Sequence, residues 1–304
     1  LSEIVKCSLP SSFEAAAGAR SWLFAPGDSD KKMEKARASA ADIVILDLED
    51  AVAEPEKPAA RKSVVDFLKA HPADAARLWV RINPVQTELA LADLAAIMPG
   101  KPGGVMLPKP RGRADAELLG HYLTALEAAN GTAPGSTSII IVATETPYGM
   151  LATSSYGNLP RIAALTWGAE DIATALGASA NREAGGGYSF TYELARSLCL
   201  IGAAAAGVPA VETIHADFRD ENGLRAVAEK ARRDGFRSML AIHPAQVDPI
   251  NAAFTPSQAE CAAAQEIVDL FAANPTLGTI ALNGSMLDRP YLLRAEAILA
   301  RRNR

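Results

Sequence analysis

Eight short β-branched runs alternate with longer stretches of helical period, and this alternation predicts a closed parallel sheet ringed by helices, the (β/α)₈ or TIM-barrel class. Two further observations point the same way. Several runs are apolar at consecutive positions, as Ile43, Val44, Ile45 and Leu46 are, which suits strands buried on both faces. The 304 residues also match one α/β barrel with an addition. The runs fall at residues 20–25, 43–48, 78–82, 104–107, 138–144, 164–167, 208–213 and 239–242. Helical stripes lie between them: Ala60, Val64, Phe67 and Leu68 recur at i, i+4, i+7 and i+8, on one face of a helix.

After the eighth run, more chain remains than one closing helix needs. Residues 1–250 are therefore read as the catalytic barrel and 251–304 as a C-terminal helical arm. Thr255-Pro256-Ser257-Gln258 has the form of an N-cap, a proline at N1 and a capping partner. The helix it starts carries Ala263, Ile267, Leu270 and Phe271 on one face, and a loose stretch at 274–285 then leads to a last helix from Arg289. The triplet Gly185-Gly186-Gly187 marks 181–188 as a mobile segment.

Composition narrows the function classes. A net charge of −5 argues against nucleic acid as a partner, because phosphate neutralisation needs a basic face. Cys7, Cys199 and Cys261 have neither metal-ligand nor redox spacing. No apolar run reaches the roughly 18 residues that a membrane span requires, and residues 1–20 lack the pattern of a secretory leader. A cytoplasmic enzyme is the expectation.

Barrel active sites are assembled at the C-terminal ends of the strands. Here those ends hold Asp47, Glu49 and Asp50, then Arg81 and Asn83, then Lys109, Glu145, the run Gly168-Ala169-Glu170-Asp171, His215 with Asp217, and His243. Any one strand-end carboxylate could be a helix cap or half of an ion pair; so many on one rim point to chemistry. Glu145 and Asp171 follow neighbouring strands, and two carboxylates with waters suit Mg²⁺, or Mn²⁺ in its place. Zinc does not fit, since no His or Cys pair has ligand spacing. Arg81 could steady an enolate or carboxylate, or pair with Glu49 or Asp50, or do both.

The run from Arg20-Ser21-Trp22-Leu23-Phe24-Ala25-Pro26-Gly27 to Leu46-Asp47-Leu48-Glu49-Asp50-Ala51-Val52 resembles the signature of the citrate lyase β-subunit and malyl-CoA lyase family. So do Val80-Arg81-Ile82-Asn83, Leu107-Pro108-Lys109, Glu145-Thr146, Gly168-Ala169-Glu170-Asp171 and Ile242-His243-Pro244-Ala245-Gln246, in family order across most of the chain. The resemblance implies Mg²⁺ on Glu145 and Asp171, and Arg81 on a 2-oxo acid and a thioester enolate. It implies an acyl-CoA thioester as substrate, with Lys31, Lys35 and Lys57 at coenzyme-contacting positions; otherwise these are solvated helix charges. Ser29 stands where other members carry Arg. Gly284-Ser285-Met286-Leu287-Asp288-Arg289-Pro290 resembles the arm of members that cleave malyl-, methylmalyl- or citramalyl-CoA. In that arm the aspartate matching Asp288 serves a neighbouring subunit as acid or base, which implies a homo-oligomer, a trimer or dimer of trimers. Asp288 is also a natural helix N-cap. Lys109 would be the residue of a Schiff-base route, which the resemblance does not call for. A lyase reaction is the expectation. A thioesterase on the same substrates, a citrate lyase subunit acting on a carrier-protein thioester and an aldolase for free 2-oxo acids are the alternatives.

Overall fold

The computed structural model describes residues 10–302. Strands β1 (Ser21–Pro26), β2 (Ile43–Asp47), β3 (Leu78–Arg81), β4 (Gly104–Leu107), β5 (Ser138–Val142), β6 (Ile162–Thr166), β7 (Ala210–Glu212) and β8 (Ser238–Ala241) form a closed barrel in chain order. Every neighbouring pair is parallel, and β1 closes the ring against β8. Each expected run coincides with a strand whose ends are displaced by at most two residues. β2, β4, β5, β6 and β8 are buried at every position, which is why their sequences read as apolar runs without alternation. The helix Lys57–Ala70 turns its predicted stripe of Ala60, Val64, Phe67 and Leu68 inward.

Side chains fill the barrel. Trp22, Ile43, Ile45, Trp79, Met106, Ile140 and Val211 belong to one buried cluster, in which the rings of Trp22 and Trp79 meet edge to face at 5.1 Å. The Trp22 indole donates to Ser238 Oγ at 3.1 Å, so its polar atom is satisfied inside the core. Gly104 admits the Trp79 ring, since a Cβ there would lie 2.3 Å from a ring carbon. A helix not foreseen from sequence, Ser11–Gly18, places Ala16 in the same cluster. Its Ser12 hydroxyl lies 2.9 Å from that of Ser138, the first residue of β5, so it packs at the N-terminal end of the strands. Met106, Val142 and Leu240 belong to the cluster and also line the cavity that opens at the other end. The core is thus the floor of the site.

The described residues divide into two compact units, one running to Asn251 and the other beginning at Ala252. In the second, the helix Gln258–Ala273 starts two residues later than the sequence suggests. Ser257 is its cap: Glu260 N donates to Ser257 Oγ at 3.2 Å and Ser257 N donates to Glu260 Oε2 at 2.8 Å, a reciprocal pair with a charged partner. The stretch expected to be loose holds an antiparallel hairpin of β9 (Thr279–Leu282) and β10 (Ser285–Asp288). Asn283 and Gly284 turn it with φ of 51° and 78°, the positive values that such turns require. The last helix, Arg289–Leu299, packs on Gln258–Ala273. Among the described residues Cys199 and Cys261 are free and buried, Cys7 lying outside them, and no helix is long and apolar enough to cross a membrane.

Candidate active site

Asp47 ends β2 and is in register with Arg81, which ends β3, so the two side chains leave adjacent strands side by side. Arg81 Nε donates to Asp47 Oδ1 at 2.7 Å and Nη2 to Oδ2 at 2.6 Å, the two-pronged contact that a planar guanidinium makes with a carboxylate. Nη1 lies 3.0 Å from Glu49 Oε2, and the Phe24 ring lies 4.8 Å from the guanidinium carbon. The expected pairing with Glu49 is present, that with Asp50 is not, and Asp47 is the main partner. The contacts with Asp47 occupy two of the five N–H donors of Arg81, while the approach to Glu49 is an ion pair without a well-formed hydrogen bond, so three donors remain. Glu49 Oε2 is buried and makes no well-formed hydrogen bond, so an acceptor also remains.

Lys109, after β4, holds a left-handed backbone with φ of 49°, unusual for a residue with a side chain. Its ammonium lies 2.6 Å from Glu49 Oε1, 3.0 Å from Asp50 Oδ2 and 3.2 Å from Asp171 Oδ1. Burial opposes its charge, but the Glu49 and Asp50 carboxylates outweigh burial and raise its pKa. A lysine held so firmly as an ammonium is no Schiff-base nucleophile. Its backbone N–H donates to Glu145 Oε2 at 2.7 Å.

Glu145 follows β5, is 5% exposed and rests on Gly168. A Cβ on Gly168 would lie 2.9 Å from Glu145 Cγ and 3.0 Å from Oε1, so the glycine makes the seat for this carboxylate. Burial, with the charges of Asp171 and Glu49, pushes its pKa up to about 8. Asp171 lies in the first turn of the helix Ala169–Leu176. Both acids line a cavity of about 340 Å³ with Asp47, Asp50 and Arg81. Among the described residues, no three or more His, Cys, Asp or Glu side chains are arranged to hold a metal. A metal here would rest on the Glu145 and Asp171 pair. Asp47, Glu49, Asp50, Glu145 and Asp171 gather around Arg81 and Lys109, an oxygen-rich setting that fits a small hard cation keeping several waters.

The cavity wall holds groups that the sequence did not mark. Trp167 lines it and donates from Nε1 to Glu212 Oε1 at 2.5 Å, and Tyr188 lies against the indole with centroids 5.1 Å apart. Glu212, 1% exposed, also accepts from Arg196 Nε at 2.6 Å. An acidic residue inside the apolar run 208–213 was the available signal.

Lys57 requires a correction. It is 7% exposed, and its ammonium donates at 2.8 Å to Leu48 O, Glu49 O and Asn83 Oδ1. All three donors are engaged, so it is neither a solvated charge nor a phosphate ligand. It ties the turn after β2 to β3, where Asn83 and Arg61 in turn bond the fully buried Asp93. Lys31 and Lys35 are exposed on Asp30–Arg37, the helix after β1. Of the rim histidines, His243 accepts from Ala245 N and stacks on Phe218. His215 lies 3.5 Å from Asp220, and its Nε2 has no hydrogen-bond partner. In the second unit, Asp288 stands at the N-cap of the last helix without a side-chain capping bond, and its Oδ1 is buried without a hydrogen-bond partner. Capping does not account for it.

Residues 20–244 match the family model described as HpcH/HpaI aldolase/citrate lyase. A citrate lyase subunit beta-like protein of Mycobacterium tuberculosis is 36% identical over 280 residues, 92% of this chain and 94% of the relative. The chain belongs to the HpcH/HpaI aldolase/citrate lyase family. Membership makes the barrel that of a carbon–carbon lyase family and accords with the resemblance in the motifs above. A (3S)-malyl-CoA thioesterase of Cereibacter sphaeroides is 33% identical over 284 residues, covering 93% of this chain and 94% of the relative. The crystal structure of protein CitE from M. tuberculosis in complex with magnesium, acetoacetate and coenzyme A superposes with a TM-score of 0.78 at 34% identity, over 95% of this chain and 100% of that one.

Proposed function

We propose that this chain is a Mg²⁺-dependent carbon–carbon lyase. It would cleave, and in reverse form, a 3-hydroxy-3-carboxyacyl-CoA such as malyl-, methylmalyl- or citramalyl-CoA. The products are acetyl- or propionyl-CoA and a 2-oxo acid, glyoxylate or pyruvate. The observation that carries this reading is the convergence of Glu145, Asp171 and Arg81 on one cavity, with Glu145 seated on Gly168. The magnesium and coenzyme A in the crystals of the CitE relative support it. Glu145 and Asp171 would hold Mg²⁺ or Mn²⁺, and the bound ion supplies Lewis-acid stabilisation of charge on a substrate oxygen.

Arg81, fixed by Asp47, presents uncommitted N–H groups to the substrate carboxylate and to the thioester enolate released by bond cleavage. Lys109 keeps Glu49, Asp50 and Asp171 from repelling one another without taking part as a nucleophile. Asp288 of a neighbouring subunit exchanges the proton with the enolate carbon. The working form is then a homo-oligomer, a trimer or a dimer of trimers in the cytoplasm, with residues 251–304 of one subunit serving the barrel of the next. Lys31 and Lys35 meet the phosphates of the coenzyme.

A second reading is favoured by the thioesterase relative: the same groups could direct water at the thioester carbonyl instead. Replacing either acid tests what both readings share. Glu145→Ala and Asp171→Ala should each abolish calorimetric Mg²⁺ binding and turnover while the melting temperature changes little, since both side chains face the cavity. Undiminished Mg²⁺ binding in both variants would overturn the assignment of the metal site.

A further inference from the structure

One wall of the cavity takes no part in the chemistry above, yet it is built with unusual care. Trp167 is 1% exposed, although it lines the cavity. Its indole N–H, Arg196 Nε and Thr213 N converge on the single carboxylate of Glu212, at 2.5, 2.6 and 2.9 Å. Arg196 is tied in turn to Asp234 at 2.7 Å, and its guanidinium carbon lies 4.6 Å from the centroid of the Phe236 ring. A carboxylate accepts on both oxygens, whereas an amide would set its own NH₂ against Arg196 or against Trp167. Only an acid serves here.

Tyr188 completes the wall from outside. It arrives on a turn that closes on itself: Arg182 pairs with Tyr188 as an antiparallel bridge, and Glu183 N donates to Gly187 O at 2.8 Å. The Arg182 guanidinium carbon lies 4.0 Å from the centroid of the tyrosine ring. Trp167 is also joined through the backbone to Gly168, the seat of Glu145, and to the helix that carries Asp171. A substrate held between those two acids has this aromatic pair beside it. Met106, Val142, Ile214 and Leu240 add an apolar stretch of lining that suits an alkyl group, while Thr213, Glu170 and the acids around Arg81 supply the polar part. A volume of about 340 Å³ lies at the small end of ligand cavities.

We infer that Trp167 and Tyr188 are the specificity wall that restricts this site to 2-oxo acids with short side chains, and that Glu212 is the positioning residue that keeps the wall rigid. The inference rests on the lyase reading above. Two measurements separate its failure from the failure of that reading. The first needs no turnover: acrylamide quenching of tryptophan emission in the oligomer as purified. Trp22 and Trp79 are wholly buried and stay dark to the quencher. Tyr188→Ala and Glu212→Gln should each create a quenchable fraction, which disappears when Trp167→Phe is added. The second measures kcat/KM for condensation of acetyl-CoA with glyoxylate, pyruvate, 2-oxobutyrate and 2-oxopentanoate. One methylene in an apolar pocket is worth about 10- to 200-fold, so Tyr188→Ala should shift preference toward 2-oxopentanoate by tenfold or more.

If Glu212→Gln does not fold, Tyr188→Ala carries both arms, since its side chain sits on a surface turn. Quenching unchanged in Tyr188→Ala overturns the wall, and a chain-length profile within about twofold of wild type overturns its role in specificity. Wild-type enzyme that condenses none of the four acids overturns the lyase reading and the substrate class with it, while the quenching arm still decides whether the stack exists.

Discussion

Gly168 has no side chain because Glu145 occupies the space where one would be. Gly168→Ala should therefore move the carboxylate without touching a reacting group. Misplacement of about 1 Å can cost 10²-fold in rate, so we expect kcat to fall by that order and Mg²⁺ affinity to fall with it; unchanged calorimetric binding would show that the seat does not matter. Arg81 works through shape as much as charge. In Arg81→Lys an ammonium cannot grip both oxygens of Asp47 and still reach substrate. A loss of about 10²–10³ in kcat is expected, and activity within about twofold of wild type would reduce Arg81 to an ion-pair partner. Lys57 should behave otherwise. Lys57→Met removes three buried hydrogen bonds and strands Asn83 Oδ1, at a cost of roughly 1–3 kcal/mol, while Leu48 O keeps Asn83 Nδ2 and Glu49 O keeps Val52 N. The variant should melt several degrees lower, with KM for the thioester unchanged in whatever folds. A raised KM at unchanged stability would restore it as a coenzyme ligand.

At the scale of elements, the barrel strands were legible because β2, β4, β5, β6 and β8 are covered on both faces, which leaves unbroken apolar runs such as Ile43 to Leu46. Their ends were less so: β6 starts at Ile162, two residues before the expected run, and β7 starts at Ala210, two residues after it. The helix Ser11–Gly18 escaped notice because its apolar face is made of alanines and Phe13, too faint a stripe to read. The β9–β10 hairpin did leave a signal, Asn283-Gly284 between two four-residue runs, which the expectation of a helical arm obscured. The strand-end positions of the rim acids and Arg81 were legible, whereas Lys57, read by resemblance as a coenzyme contact, has its three donors engaged inside the chain by Leu48 O, Glu49 O and Asn83 Oδ1. Glu212 and Tyr188 needed the fold, since the Trp167 ring that both of them contact is remote from each in sequence. Asp288 ends β10, and its test belongs here. Asp288→Asn keeps the size, but it cannot exchange a proton. It should lower turnover by at least tenfold while leaving Mg²⁺ binding intact; full activity would assign the proton to Glu49, Asp50 or water.

For the whole molecule, the proposed function requires that the arm of one subunit complete the site at the end of another subunit's barrel. Mixing inactive Asp288→Asn subunits with inactive Glu145→Ala subunits should then restore part of the activity, because a mixed oligomer can assemble an intact site. No recovery despite proven subunit exchange would confine each site to one chain. The central claim is the bond that breaks, and product analysis reads it directly. Purified protein is given malyl-, methylmalyl- and citramalyl-CoA with Mg²⁺, then with a chelator, while 2-oxo acid and free coenzyme thiol are measured together. The account predicts a 2-oxo acid released in step with acetyl- or propionyl-CoA, with little free thiol, from at least one substrate, lost with the chelator and regained with Mg²⁺. Free thiol with an intact hydroxy acid, or cleavage indifferent to the chelator, would contradict it.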